Sequence, residues 1–190
     1  MNTKARLKFG IFVLGLGALV PAALLALSLL TQFITAFQKG ADPASIFRGH
    51  ILIIPEPEQA QWVSWDAAEG ENPSQAEREE MIAAYWQAWE ALDRAYQTGD
   101  TGDLATYWAG AAYEHALAGI PMEQRQSVSH SGHRLHLTFF AEGGSVAAFK
   151  DQGFSITYNP NGDLLRASAE VVMTLDQGFW RVRSIQLNYW

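Results

Sequence analysis

The longest uninterrupted hydrophobic stretch lies near the start of the chain: from Phe9 to Leu30 there is no charged residue, and apolar positions continue through Phe33, Ile34 and Phe37. These 22 residues, as a helix rising about 1.5 Å per residue, reach about 33 Å, enough to cross a hydrocarbon layer of about 30 Å. The pattern predicts a transmembrane helix over 9–37. Lys4, Arg6 and Lys8 precede it, and basic flanks favour the cytoplasmic side, so residues 1–8 are expected inside and everything after the span outside. A signal peptide cleaved near Val20-Pro21-Ala22 is the competing reading, but it would leave a long apolar stub as the new N-terminus. Within the span Ala18, Ala22 and Ala26 recur every four residues, with Gly15 one turn earlier, a spacing that lets two membrane helices approach closely. Small residues are also common in any membrane helix.

Residues 38–74 predict a partly ordered tether. Pro43, Pro55, Pro57 and Pro73 interrupt regular structure there,. Inside this segment Ile51, Leu52, Ile53 and Ile54 form an apolar run, and Trp62 and Trp65 follow. Such residues dock on a protein partner, sit at the membrane interface, or pack on the chain's own domain.

From Asn72 the period changes to that of a capped helix. Asn72 or Ser74 can cap it, and Gln75 or Glu77 can complete a capping box. Ile82, Tyr85, Trp86, Trp89, Leu92 and Tyr96 then recur at three- and four-residue spacing, and Gly99 stops the helix,. Two shorter helical stretches follow, one with Leu104, Tyr107 and Trp108 and one with Tyr113, Ala116 and Leu117. Beyond residue 132 the period becomes two. His133–Ala141, Phe154–Tyr158, Leu165–Leu175 and Phe179–Leu187 read as strands between Gly-Gly, Asn-Pro-Asn-Gly and Asp-Gln-Gly turns, with Ser145–Phe149 as a further short strand,. Helices followed by an antiparallel meander predict an α+β domain over 75–190, with about three helices packed on a curled sheet of four or five strands.

The aromatic helix, the string TGDLATYWAG and the terminal GFWRVRSIQL together resemble the nuclear transport factor 2-like superfamily over about residues 75–190. That resemblance implies a cone-shaped domain. The addition of a membrane helix is similar to inner-membrane components of type IV secretion systems and to membrane-tethered relatives in plastid division proteins. The superfamily includes polyketide cyclases and steroid isomerases beside binding and dimerisation modules, so fold alone leaves function open.

Charge narrows the partners. Three of the 13 basic residues precede the membrane span, so ten face all 20 acidic ones, a net of −10 on the outer part. Such a surface repels nucleic acid. The chain has no cysteine, which removes disulfides, thiolate ligands and thiol nucleophiles.

Candidate chemistry is sparse. His130, His133 and His136 are three apart, but on a strand His133 and His136 face opposite sides, so they do not form a metal set. Glu90 and Asp93 lie beside the aromatic stripe, where Asp93 is a candidate base, although carboxylates at that spacing usually form a solvated face. No phosphate loop, GxSxG elbow or HExxH motif occurs, so no catalytic residue, metal or cofactor is assigned. The aromatic set Tyr85, Trp86, Trp89, Tyr107, Trp108 and Tyr113, with Asp93, either lines a small-molecule pocket or fills the core. The expectation is an extracytoplasmic accessory or scaffold module in a membrane-associated assembly, bound to a protein partner or to itself. A tethered isomerase- or cyclase-like protein that uses the interior of the cone is the alternative.

Overall fold

A computed structural model describes residues 53–120, 127–159 and 162–190. The predicted span with Gly15, Ala18, Ala22 and Ala26 lies outside these residues, as do Ile51 and Leu52. Among the described residues no helix is long and apolar enough to cross a membrane.

Helix α1 spans Gln75–Thr98. Its capping box is closed by Ser74 and Glu77: the Glu77 N–H donates to Ser74 Oγ (3.3 Å) and the Ser74 N–H to Glu77 Oε2 (2.7 Å). These bonds from Ser74 hold the Glu77 carboxyl below the usual glutamate range. Asn72 instead accepts from the Ala67 N–H. At the other end Gly99 takes the left-handed conformation (φ 77°) and donates back to the Ala95 carbonyl. The aromatic stripe understates how enclosed this helix is. Ala83, Ala84, Ala88, Ala91 and Ala95 are buried as well, because their small side chains let neighbouring elements close in on more than one side. Helices α2 (Leu104–Tyr107) and α3 (Gly110–Gly119) follow. Trp108 links them to the core, its Nε1–H donating to the Ala88 carbonyl at 2.8 Å.

The sheet has seven strands rather than four or five: β1 (Ala60–Ser64), β2 (Glu69–Gly70), β3 (Ser127–Ser131), β4 (His133–Phe140), β5 (Val146–Asn159), β6 (Asp163–Asp176) and β7 (Phe179–Tyr189). Their order is β1-β4-β5-β6-β7, with β2 also on β4 and β3 also on β5. Three physical causes account for the difference. First, β1 and β2 come from the segment read as a tether, and both pair with β4 in parallel. The chain leaves β1, runs through the helices and returns to the sheet in the same direction, which is the connection a parallel pair requires. Second, β3 and β4 follow one another along β5, with Ser131 opposite Ser155 and Leu135 opposite Asp151, and are separated at Gly132 (φ 79°).

Third, the expected strands 145–149 and 154–158 are one strand. The tripeptide Asp-Gln-Gly occurs twice, with two outcomes. At 176–178, Gln177 (φ 55°) and Gly178 (φ 84°) make the two-residue turn between β6 and β7,. At 151–153 it is a bulge, where the register against β6 shifts between Asp151 and Phe154. The extra residue resets the alternation, so Ala147, Phe149 and Asp151 before it and Phe154 and Ile156 after it all face the core,. The sheet curls and stays unclosed.

Gly70 is sterically required. It has φ 90°, and a Cβ there would lie 1.9 Å from the Phe140 carbonyl oxygen. Gly70→Ala is therefore expected to destabilise by about 1–3 kcal/mol through overpacking and backbone strain, read as a lowered denaturant midpoint at unchanged slope.

Candidate functional site

The polar centre of the core forms at the β5 bulge. Asp151 is the last inward residue before it, and its carboxylate accepts three hydrogen bonds: from Tyr85 Oη of α1 at 3.0 Å, from His133 Nδ1 of β4 at 2.6 Å and from the Arg134 backbone N–H at 3.0 Å. The last of these satisfies a backbone donor where pairing between β4 and β5 gives out, so the side chain stitches the sheet at its own irregularity. Tyr85, His133 and Asp151 are each 0% exposed.

Rings enclose the cluster. Phe154 stacks on His133 (centroids 4.5 Å apart, planes 22° apart) and Trp89 lies over the imidazole at 5.5 Å and 29°. Tyr85 and Trp86 meet it edge-on at 5.5 and 5.9 Å. A second pair sits alongside: His130 Nδ1 contacts Asp93 Oδ1, and the His130 ring packs on Trp89 at 4.4 Å.

Burial decides the protonation states. It holds the His133 imidazole below the usual histidine range, against the opposing pull of Asp151. Burial, reinforced by Asp151, pushes the Tyr85 phenol well above the usual tyrosine range. Tyr85 is thus a donor and His133 a neutral ring that carries its proton on Nδ1. His133 Nε2 makes no hydrogen bond. An aspartate that orients an imidazole whose other nitrogen is a free base is the geometry of a general base and its positioning group. Here, however, that nitrogen is buried.

A pH dependence follows. Between the lowered native value and the unfolded value near 6.5, the unfolded chain binds a proton that native His133 does not, so stability falls as pH drops through this window and is fully present above it. Denaturant midpoints of the full chain are expected to decrease from pH 7.5 to pH 5.5, with a shallower slope in His133→Phe.

Among the predicted pocket residues, Tyr85, Trp86, Trp89 and Trp108 are core, while Tyr107 and Tyr113 are half-buried and pack against it. Asp93 is paired with His130. Of the docking candidates, Trp62 turns inward: its Nε1–H donates to the Arg78 carbonyl and its ring meets Phe149 edge-on at 5.4 Å. Trp65 stays 45% exposed beneath the Arg78 guanidinium, and Ile53 and Ile54 are 56% and 53% exposed.

The sequence reading missed Asp151 and the inward role of His133. Both were signalled by period two, since His133 shares a face with Leu135 and Leu137, and Asp151 shares one with Ala147 and Phe149,. Among the described residues no three His, Asp or Glu side chains converge as a metal set. Comparison of the chain with protein-family models, with curated proteins and with solved structures finds no match.

Proposed function

We propose that the chain is a membrane-tethered, extracytoplasmic accessory or scaffold module whose outer domain binds a protein partner or a second copy of itself within a membrane-associated assembly. One observation carries this reading. The polar groups suited to chemistry are sealed inside, whereas large apolar side chains stand outside at Ile53, Ile54, Val63 and Trp65, on the segment that joins the predicted span to the sheet. An exposed apolar strip beside a strand is a surface on which a partner chain docks. The net −10 of the outer part favours a protein over nucleic acid. The test is the native mass of the detergent-solubilised full chain together with a pulldown from detergent extract. A mass above one copy or a defined co-purifying protein, lost in Ile53→Asp/Ile54→Asp, supports the reading. A strictly monomeric chain without a partner contradicts it.

A second reading has its own observation, the unbonded Nε2 of His133 oriented by Asp151. It makes the interior of the cone a site for a small apolar ligand or an isomerase- or cyclase-like reaction, reached by displacement of Trp86 or Trp89. Solvent extraction and mass spectrometry of the purified protein test it. A stoichiometric small molecule supports this second reading, and its absence together with unaltered stability on adding apolar ligands argues against it.

A further inference from the structure

On the reverse of the sheet from Asp151, a hollow of about 330 Å³ opens between β5, β6 and β7, lined by Lys150, Gln152, Ser168, Glu170, Asn188 and Trp190. Strand register assembles these residues: Lys150 lies opposite Glu170 and Ser168 opposite Asn188, while Gln152 sits in the bulge. Lys150, Ser168, Glu170 and Asn188 are thus mounted on paired strands, a firmer base for a binding site than a free loop, and Trp190 follows β7 directly, its N–H donating to the Arg166 carbonyl at 3.1 Å. Its volume falls at the small end of the ligand-site range, about 300–1,000 Å³.

The chemistry selects a class of ligand. Two amides and a hydroxyl offer both donors and acceptors, Glu170 accepts, and Lys150 donates. Trp190 is 62% exposed, leaving a flat apolar face at the rim. Hydroxyl-rich rings with one C–H face match this combination. An anionic ligand does not, because Lys150 is already paired with Glu170 at 3.1 Å and the surrounding domain is acidic. A purely apolar ligand would strand the polar groups.

We infer that this hollow binds a neutral sugar, with the pyranose C–H face on the Trp190 indole and its hydroxyls on Gln152, Ser168, Glu170 and Asn188. It binds and does not hydrolyse. Glycosidic cleavage by the two-carboxylate route needs a pair flanking the bond, and Asp151, the other carboxylate beside the hollow, is turned into the core. The inference is independent of the proposed scaffold role, so a monomeric chain without a protein partner would leave it standing.

The experiment is calorimetric titration of the full chain with N,N′-diacetylchitobiose and, separately, maltose. It is run in a zwitterionic detergent, because a maltoside would itself occupy the site. Saturable binding of either disaccharide in about the millimolar range is expected, weakened about tenfold or more in Trp190→Ala at unchanged thermal midpoint. No saturable heat with either sugar, or equal affinity in Trp190→Ala, would overturn the assignment.

Discussion

Asp151→Ala is expected to lower the unfolding free energy by about 3–5 kcal/mol, among the largest effects of any single substitution in this chain. The change removes the common acceptor of Tyr85 Oη, His133 Nδ1 and the Arg134 N–H, and leaves three donors without their partner in a buried site. Each stranded donor costs about 1–3 kcal/mol, with relaxation recovering part. A total stability of about 5–15 kcal/mol is ordinary for a domain, so this loss is a large share of it. Asp151→Asn keeps the volume and one acceptor oxygen but turns an NH₂ toward at least one of the donors. It is expected to fall between wild type and alanine. Denaturant unfolding of the three full-length proteins gives the order, and an alanine variant as stable as wild type would show that the network contributes nothing to the fold.

Trp89→Ala is the second large effect, at about 3–5 kcal/mol. Trp89 touches both halves of the polar core: its ring packs on His130 and His133 and meets Trp108 edge-on at 5.8 Å and Phe154 at 5.1 Å. Its removal leaves a void between two histidines. Because Trp89 and His133 are in contact, the double substitution Trp89→Ala/His133→Phe is expected to cost clearly less or more than the sum of the single ones, whereas Trp89→Ala combined with Gly70→Ala, which share no partner, should add.

Periodicity read the helices and most of the strands correctly because local pattern dictates them. The Ser74 capping box, the stop at Gly99 and the alternation through β6 are each written within a few residues. What lay beyond the pattern was pairing. Nothing local in Ala60–Ser64 says that its partner is β4, more than 70 residues later, because a parallel pair is set by the path through the helices. Asp-Gln-Gly is a turn at one place and a bulge at the other because the second is held on both edges by neighbouring strands. The candidate site was half legible for the same reason. Tyr85 and Trp89 stood out on the helical stripe, whereas Asp151 looked like a turn residue until the bulge placed it under three donors.

This difference bears on function. A reader of the sequence expects any chemistry of this domain to come from the aromatic helix and Asp93. The structure instead gathers its acid and base groups from α1, β4 and β5 into one enclosed cluster, and leaves the outer surfaces with Ile53, Ile54 and Trp65 at one margin and the Trp190 hollow on the wet face of the sheet. The reading that follows is a domain whose buried polar groups specify the fold and whose contacts with other molecules are made from outside.

The enclosure of His133 is the point on which this account turns, and imidazole ¹⁵N–¹H correlation spectra of the full chain, recorded from pH 5.5 to 8, measure it directly. The account predicts a single neutral tautomer protonated on Nδ1, a slowly exchanging Nδ1 proton, and no titration near 6.5, where an unperturbed histidine titrates,. An imidazole that titrates there and exchanges its proton freely with solvent would contradict it.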